Sequence, residues 1–462
     1  MSSEGGGRDP DPAAPVRTNR GTIALLVAAV LVLGGVVATR HPSQAESPAP
    51  GSAAAEQARR ELLDQATVTR DDGRRDTVGT MLTRRAKALL AGNRAAFLAT
   101  VDPRDAAFRA AQGRWFDNLA AVPFSGWTYE LGDRASRALP PARAVALGPA
   151  AFVAPVDVSY QISGYDHSAQ HYEQALTFVP RSGRWYVTGD ADGGPVRPDD
   201  PEVHSELWDV GKVSVVKAKY GLVMGLGPAS LLRGYARDVD RTVPRVDGVW
   251  GNLWSRRVLL VVTRTEDEMA SLLGGRPATY RQLAAVTRGE LGAAEGTAAA
   301  DRVLVNPKAY AELSDVGRRV IMGHEITHVA VRSRTQEWTP KWLSEGLADY
   351  VGYLGSGLPT AVIAQELAQD VRKGRAPAQL PRNDSFGTTN SRLPQTYEMS
   401  WLACKMIVER HGGRDALVEF FRVIGSPGGD ASVVDRAFHD VLGTTRAAFT
   451  KEWRSYVRDQ LT

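Results

Sequence analysis

The run Ser314 to Arg332 (SDVGRRVIMGHEITHVAVR) constrains this chain more than any other, because it is apolar on several faces and yet carries two histidines and a glutamate. It has no proline, offers Ser314 as an N-cap, and spreads Val316, Val320, Ile321, Met322, Ile326 and Val329 around a helix. A helix of that kind is buried. His324 and His328 then stand one turn apart on one face, about 6 Å from each other, with Glu325 beside them. Two buried imidazoles and a carboxylate without a partner ion would cost several kcal/mol of desolvation, so the pattern predicts that the imidazoles converge on one cation.

The chain of 462 residues has one cysteine, Cys404, so an intramolecular disulfide and a Cys-based metal site are both excluded, and any metal sits on His, Asp or Glu. Cys404 itself falls in a helical run and reads as a packed core thiol. A third ligand is expected from Thr339 to Tyr353 (TPKWLSEGLADYVGY), a second helix with Thr339 as N-cap and Pro340 in its first turn. Glu345 is the candidate ligand. Asp349 follows one turn later on the same face, placed to hold the other ring nitrogen of a ligand histidine and so fix its tautomer. The alternative is a surface carboxylate pair. His167 and His171 are also four apart, but at a turn and strand start that spacing does not put two side chains on one face, and they read as a surface pair.

A His-Glu-x-x-His helix followed closely by a W-L-x-E-G-x-A-x-Y-type helix, here Trp342 to Tyr350, resembles the gluzincin clan of zinc metallopeptidases, and the chain is similar to the bacterial membrane-anchored peptidases of the MA-like group. The resemblance covers roughly Lys212 to the C-terminus. It implies that His324, His328 and Glu345 ligate Zn2+, that Glu325 is the general base, and that Asp349 supports a ligand histidine. It also assigns Tyr397, at the start of the helix Gln395 to Arg410, as hydroxyl donor to the oxyanion of the tetrahedral intermediate; simple packing is the alternative. Zinc so held lowers the pKa of water and polarises a scissile carbonyl, while Glu325 takes the water's proton and passes it to the leaving amine. A structural zinc would normally have four protein ligands, and three leave room for catalysis.

Two departures limit the resemblance. The interval between His328 and Glu345 holds 16 residues, shorter than in the thermolysin-like and aminopeptidase branches. The Gly-x-Met-Glu-Asn element that anchors a substrate's amino group in the aminopeptidase branch is absent, which points to an endopeptidase or an unusual substrate. Two rivals stay open: an inactive relative serving as a binding or scaffolding protein of the cell envelope, and a zinc hydrolase of a non-peptide amide or ester.

Upstream, Gly21 to Ala38 is an uncharged apolar run of 18 residues, and Arg8, Arg17 and Arg20 precede it. This predicts a cytoplasmic segment over 1–20, a transmembrane signal anchor over 21–39, and an extracytoplasmic body. A cleaved signal peptide processed near Ser43-Gln44-Ala45 is the competing reading. Residues 40–73, rich in Pro, Ala and Ser, read as a tether. Residues 74–192 read as an accessory α+β domain: helices to Leu119, then strands at Trp127 to Leu131, Phe152 to Ile162, His171 to Val179 and Arg184 to Thr188. That order resembles nuclear-transport-factor-2-like domains.

A loop-like stretch from Asp190 to Asp209 separates it from a metallopeptidase domain over 205–462, which makes the whole chain α+β. Its expected elements are a strand over Lys212 to Met224, a helix over Pro228 to Val243, a strand over Arg257 to Thr263, and a strand over Arg302 to Val305 before the motif helix. Short C-terminal helices close the subdomain. The strand Asp301 to Pro307 is a candidate edge for pairing with an extended substrate, with Pro307 ending the pairing; a purely structural strand is the alternative. A net charge of +4 with no basic stripe leaves nucleic-acid binding without support. The expected partners are a peptide or protein substrate and, through the N-terminal run, a membrane.

Overall fold

The computed structural model describes residues 73–132, 139–192, 205–281, 283–289, 301–387 and 389–462. The predicted membrane span and nearly all of the tether lie outside these residues. No helix among the described residues is long and apolar enough to cross a membrane.

Helix α1 (described over 73–90), α2 (Arg94–Leu98) and α3 (Ala106–Leu119) precede β1 (Phe124–Leu131), α4 (Pro141–Leu147), β2 (Phe152–Ile162), β3 (Gln170–Arg181) and β4 (Arg184–Gly189). The four strands form an antiparallel meander in chain order. Along β2, Val156, Val158, Tyr160 and Ile162 point inward and alternate with more exposed Asp157, Ser159 and Gln161, the period-two pattern of a half-covered sheet. Ser182 and Gly183, both at positive φ, close the β3–β4 hairpin as the two-residue turn that matches strand twist. Phe97 and Phe116 pack from the helices into the same core.

After α5 (Leu207–Val210), a mixed sheet is built from β5 (Ser214–Lys217), β6 (Gly221–Gly225), β7 (Val258–Val262), β8 (Ala285–Arg288) and β9 (Arg302–Val305) in the order β5-β6-β7-β9-β8. The stretch expected as one strand to Met224 is a β5–β6 hairpin, because Ala218 N–H bonds back to the Gly221 carbonyl and folds it over. β7, all five residues buried, lies between parallel neighbours β6 and β9, as buried parallel strands do. Helix α6 (Ala229–Trp250) runs past its expected end at Val243, through Pro244. The lost hydrogen bond costs about 3 kcal/mol. It is offset because Val246, Val249 and Trp250 continue the buried stripe of Leu232, Tyr235, Val239 and Val243.

The strand expected as an edge is not one. β9 is interior, paired with β7 on one side and antiparallel to β8 on the other, so no substrate can pair with it. Pro307 does not end a pairing either: it is the first residue of α9 (Pro307–Glu312), whose N–H groups at Lys308 and Ala309 bond to Asn306 Oδ1. α7 (Glu266–Leu273) and α8 (Pro277–Tyr280) connect β7 to β8.

The motif helix α10 (Asp315–Val331) starts where expected, with Ser314 Oγ accepting from Gly317 N–H. Helix α11 (Lys341–Tyr353) starts one residue later than expected, and Thr339 Oγ1 accepts from Gln336 N–H instead of capping it. The open N–H of Lys341 goes to Asn383 Oδ1, from the turn Asn383–Phe386. Then follow α12 (Thr360–Ile363), α13 (Gln365–Arg372), α14 (Leu393–Arg410), α15 (Gly413–Ile424), α16 (Ser432–Asp440) and α17 (Arg446–Leu461). Their core includes Trp342, Phe420, Phe421, Phe438, Phe449 and Trp453.

The meander and the mixed sheet are joined by contacts of core quality. Trp208 of α5 meets Phe124, Trp127 and Tyr160 with ring centroids 5.1–5.9 Å apart. Arg302 of β9 makes a two-pronged ion pair with Asp166 after β2, at 2.6 and 2.9 Å, both side chains being buried or nearly so.

Candidate active site

Helix α10 presents His324, Glu325 and His328, and α11 presents Glu345 and Asp349; all five are buried. The two helices meet through small residues. A Cβ on Gly352 of α11 would lie 2.8 Å from the Val320 carbonyl of α10, closer than real contacts allow. A Cβ on Gly346, beside Glu345, would collide with the Ser400 carbonyl of α14. Glycine at these two positions lets three helices close on the site.

The ring nitrogens His324 Nε2 and His328 Nε2 are 3.0 Å apart, and each is 3.4 Å from Glu345 Oε2. A point equidistant from those three atoms lies about 1.9 Å from each, so the three atoms would fit a zinc ion at its usual ligand distances of about 2.0–2.2 Å. Among the described residues this trio is the one group of His, Cys, Asp and Glu placed to hold a metal ion. On the opposite side of the His324 ring, Nδ1 lies 2.8 Å from Asp349 Oδ1, which keeps a proton on Nδ1 and turns the Nε2 lone pair toward Glu345 and His328.

The electrostatics ask for a cation. Glu325, Glu345 and Asp349 bring three carboxylates into a dry site whose imidazoles are neutral when they ligate. Burial opposes a charge on His324, yet Asp349 and Glu345 outweigh it and hold its pKa well above the usual histidine range. Glu345 is opposed by burial and still drawn down to about 2 by His328 and His324. Burial pushes the Asp349 carboxyl up against the pull of His324. Two buried carboxylate oxygens, Glu325 Oε1 and Glu345 Oε2, make no hydrogen bond. Buried polar atoms left this way are costly unless an ion or water serves them. Two imidazoles and one carboxylate form the donor set of a zinc site with a position to spare.

The Tyr397 ring of α14 is buried with its centroid 6.3 Å from that of His324, and Phe386 packs edge-on against it at 5.5 Å. Cys404 is fully buried beneath α11, its Sγ 3.9 Å from the Leu343 carbonyl. His167 and His171 are exposed.

Sequence reasoning missed Thr287. Its Oγ1 donates to Glu325 Oε2 at 2.6 Å from strand β8, the edge of the mixed sheet. β8 is four residues long and shows no polar alternation, so only its pairing with β9 marks it as a strand.

No protein-family model matches the chain, and no curated protein does. Among solved structures, a yeast LTA4 hydrolase aligns at a TM-score of 0.35 and 12% identity over 53% of this chain, which spans 39% of that protein. A mutant M1 zinc metallopeptidase from Deinococcus radiodurans, bound to a Tyr-Ser-Ala substrate, aligns at 0.29 and 15% identity over 54% of this chain and 51% of that one. Another structure of an M1 zinc metallopeptidase mutant from the same organism aligns at 0.30 and 14% identity over 73% and 70%.

Proposed function

We propose that this protein is a zinc-dependent peptidase, and that its substrate is an extended peptide segment cut internally. The observation that carries the reading is the convergence of His324 Nε2, His328 Nε2 and Glu345 Oε2 within 3.4 Å of one another, with Glu325 beside them and one of its oxygens unpartnered. Zinc, when bound to His324, His328 and Glu345, supplies the Lewis acidity that activates water and polarises the scissile carbonyl.

The chain's own groups do the rest. Asp349 holds His324 in the ligating tautomer. Glu325 takes one proton from the attacking water as its oxygen bonds to the carbonyl carbon, then delivers that proton to the amide nitrogen as the carbon–nitrogen bond breaks. The products are a carboxylate and a free amine. Tyr397 is the group assigned to donate to the developing oxyanion. Internal cleavage is favoured because the chain has no Gly-x-Met-Glu-Asn element to hold a free amino terminus. The body is tethered outside the cytoplasm by the apolar run 21–39, supported by its uncharged length and its flanking arginines.

The test uses the full-length chain. Metal analysis is expected to find zinc in both the wild type and Glu325→Gln, with hydrolysis of an unfolded protein substrate in the wild type alone. The base should be worth about 10²–10⁴-fold in rate. A chelator should abolish hydrolysis and added zinc should restore it. Metal in both proteins with hydrolysis in neither would favour a scaffold, ester cleavage without peptide cleavage would favour a non-peptide hydrolase, and no metal in either would sink the reading.

A further inference from the structure

Glu325 has two carboxylate oxygens in unequal surroundings. Oε2 accepts from Thr287 Oγ1 at 2.6 Å, the length of a hydroxyl bond to a charged oxygen, while Oε1 is buried and makes no hydrogen bond. The same hydroxyl lies 3.3 Å from the Glu325 backbone carbonyl; it has one proton, and the shorter contact to the carboxylate takes it. Thr287 is itself almost fully buried, so water does not compete for this bond.

The position of Thr287 is set by the sheet. It pairs with Val303 of β9, between the pairs Val286 with Leu304 and Arg288 with Arg302. Its β-branched side chain is stiff about χ1, so the strand aims the hydroxyl. A glutamate side chain otherwise turns about three bonds. With Oε2 pinned from the edge strand and the backbone held in α10, the place of Oε1 is determined as well.

We infer that Thr287 is a positioning residue for this enzyme: by holding Oε2 of Glu325 it leaves Oε1 as the oxygen that takes the proton from water and aims it. This rests on the reading of Glu325 as the general base.

The experiment compares Thr287→Val, which keeps the shape and removes the hydroxyl, with Thr287→Ser, which keeps the hydroxyl, and uses Thr287→Ala as a second hydroxyl-free variant should valine prevent folding. In the full-length zinc-loaded chain, Val or Ala is expected to lower kcat by about 10–100-fold with KM within about twofold and zinc content unchanged. Ser is expected to restore most of the rate. A readout independent of activity is the urea unfolding midpoint of the metal-free chain. Thr287→Val should lower it more in the wild-type background than in a Glu325→Ala background, where the hydroxyl keeps only the weaker acceptor at the backbone carbonyl.

Wild-type kcat in Thr287→Val, with Glu325→Gln inactive, would overturn the inference and leave the peptidase reading standing. So would a raised KM at unchanged kcat, which would put the hydroxyl on the substrate, or additive shifts in the unfolding midpoint. A zinc-loaded wild type that hydrolyses nothing would remove the reading and the inference together.

Discussion

Tyr397 touches both the His324 imidazole and Phe386, so its ring packs whatever its hydroxyl does. Tyr397→Phe keeps the ring and separates the two roles. If the hydroxyl serves the oxyanion, kcat falls by about 10²–10³-fold with KM and thermal stability little changed; a packing role predicts wild-type kinetics. The next residue, Glu398, has a different burden. Buried, and faced by the Glu366 carboxyl, it is pushed from the ordinary 4.5 up to about 10, although the N–H groups of Glu366 and Leu367 pull the other way. The folded protein therefore keeps a proton there that the unfolded chain releases. That stability is whole below the ordinary value and is lost as pH rises toward the folded one. Glu398→Gln should flatten the fall of the unfolding temperature between about pH 5 and 10, with no gain at pH 4, as thermal denaturation across pH would measure. At this scale the ligands were legible, because His324 and His328 must share a helical face and Glu345 and Asp349 another. Thr287 was not, since a threonine in an apolar run carries no sign of its partner.

Among the elements, α10, α11 and α14 form the site, and their separation is set by the residues between the functional ones. Gly346→Ala should push α11 off the Ser400 carbonyl of α14, costing about 1–3 kcal/mol in thermal denaturation. Because Glu345 is its neighbour, the same variant should bind zinc more weakly in competition with a chelator. Long periodic helices were readable from the chain, as α10 and its Ser314 cap illustrate. Continuation of α6 through Pro244 was not, because local propensity argues for a stop and only the buried stripe beyond it argues for going on. The N-terminus of α11 was misjudged by one residue for a similar reason: its cap comes from Asn383, distant in sequence.

In the whole molecule, the Asp166–Arg302 pair links the meander to the strand that leads into the motif helix, close to Trp208 seated among Phe124, Trp127 and Tyr160. Asp166→Ala removes this two-pronged partner from the largely buried Arg302 guanidinium and should cost about 1.5–3 kcal/mol, read from the urea midpoint. If the two parts fold as one unit, activity and the fluorescence of these tryptophans should be lost in a single transition.

The amino-acid order by itself determined the chemistry on offer. Helical spacing puts His324 and His328 on one face and Glu345 and Asp349 on another, and the apolar setting of both helices requires that these groups be buried and therefore partnered. Which groups partner which was decided in three dimensions. That β8 and not β9 is the sheet edge, that Thr287 holds Glu325, and that Asp166 meets Arg302 all depend on contacts between residues 14 to 136 positions apart. Register and packing set such contacts, and a local pattern records the face a side chain occupies without recording what lies across from it.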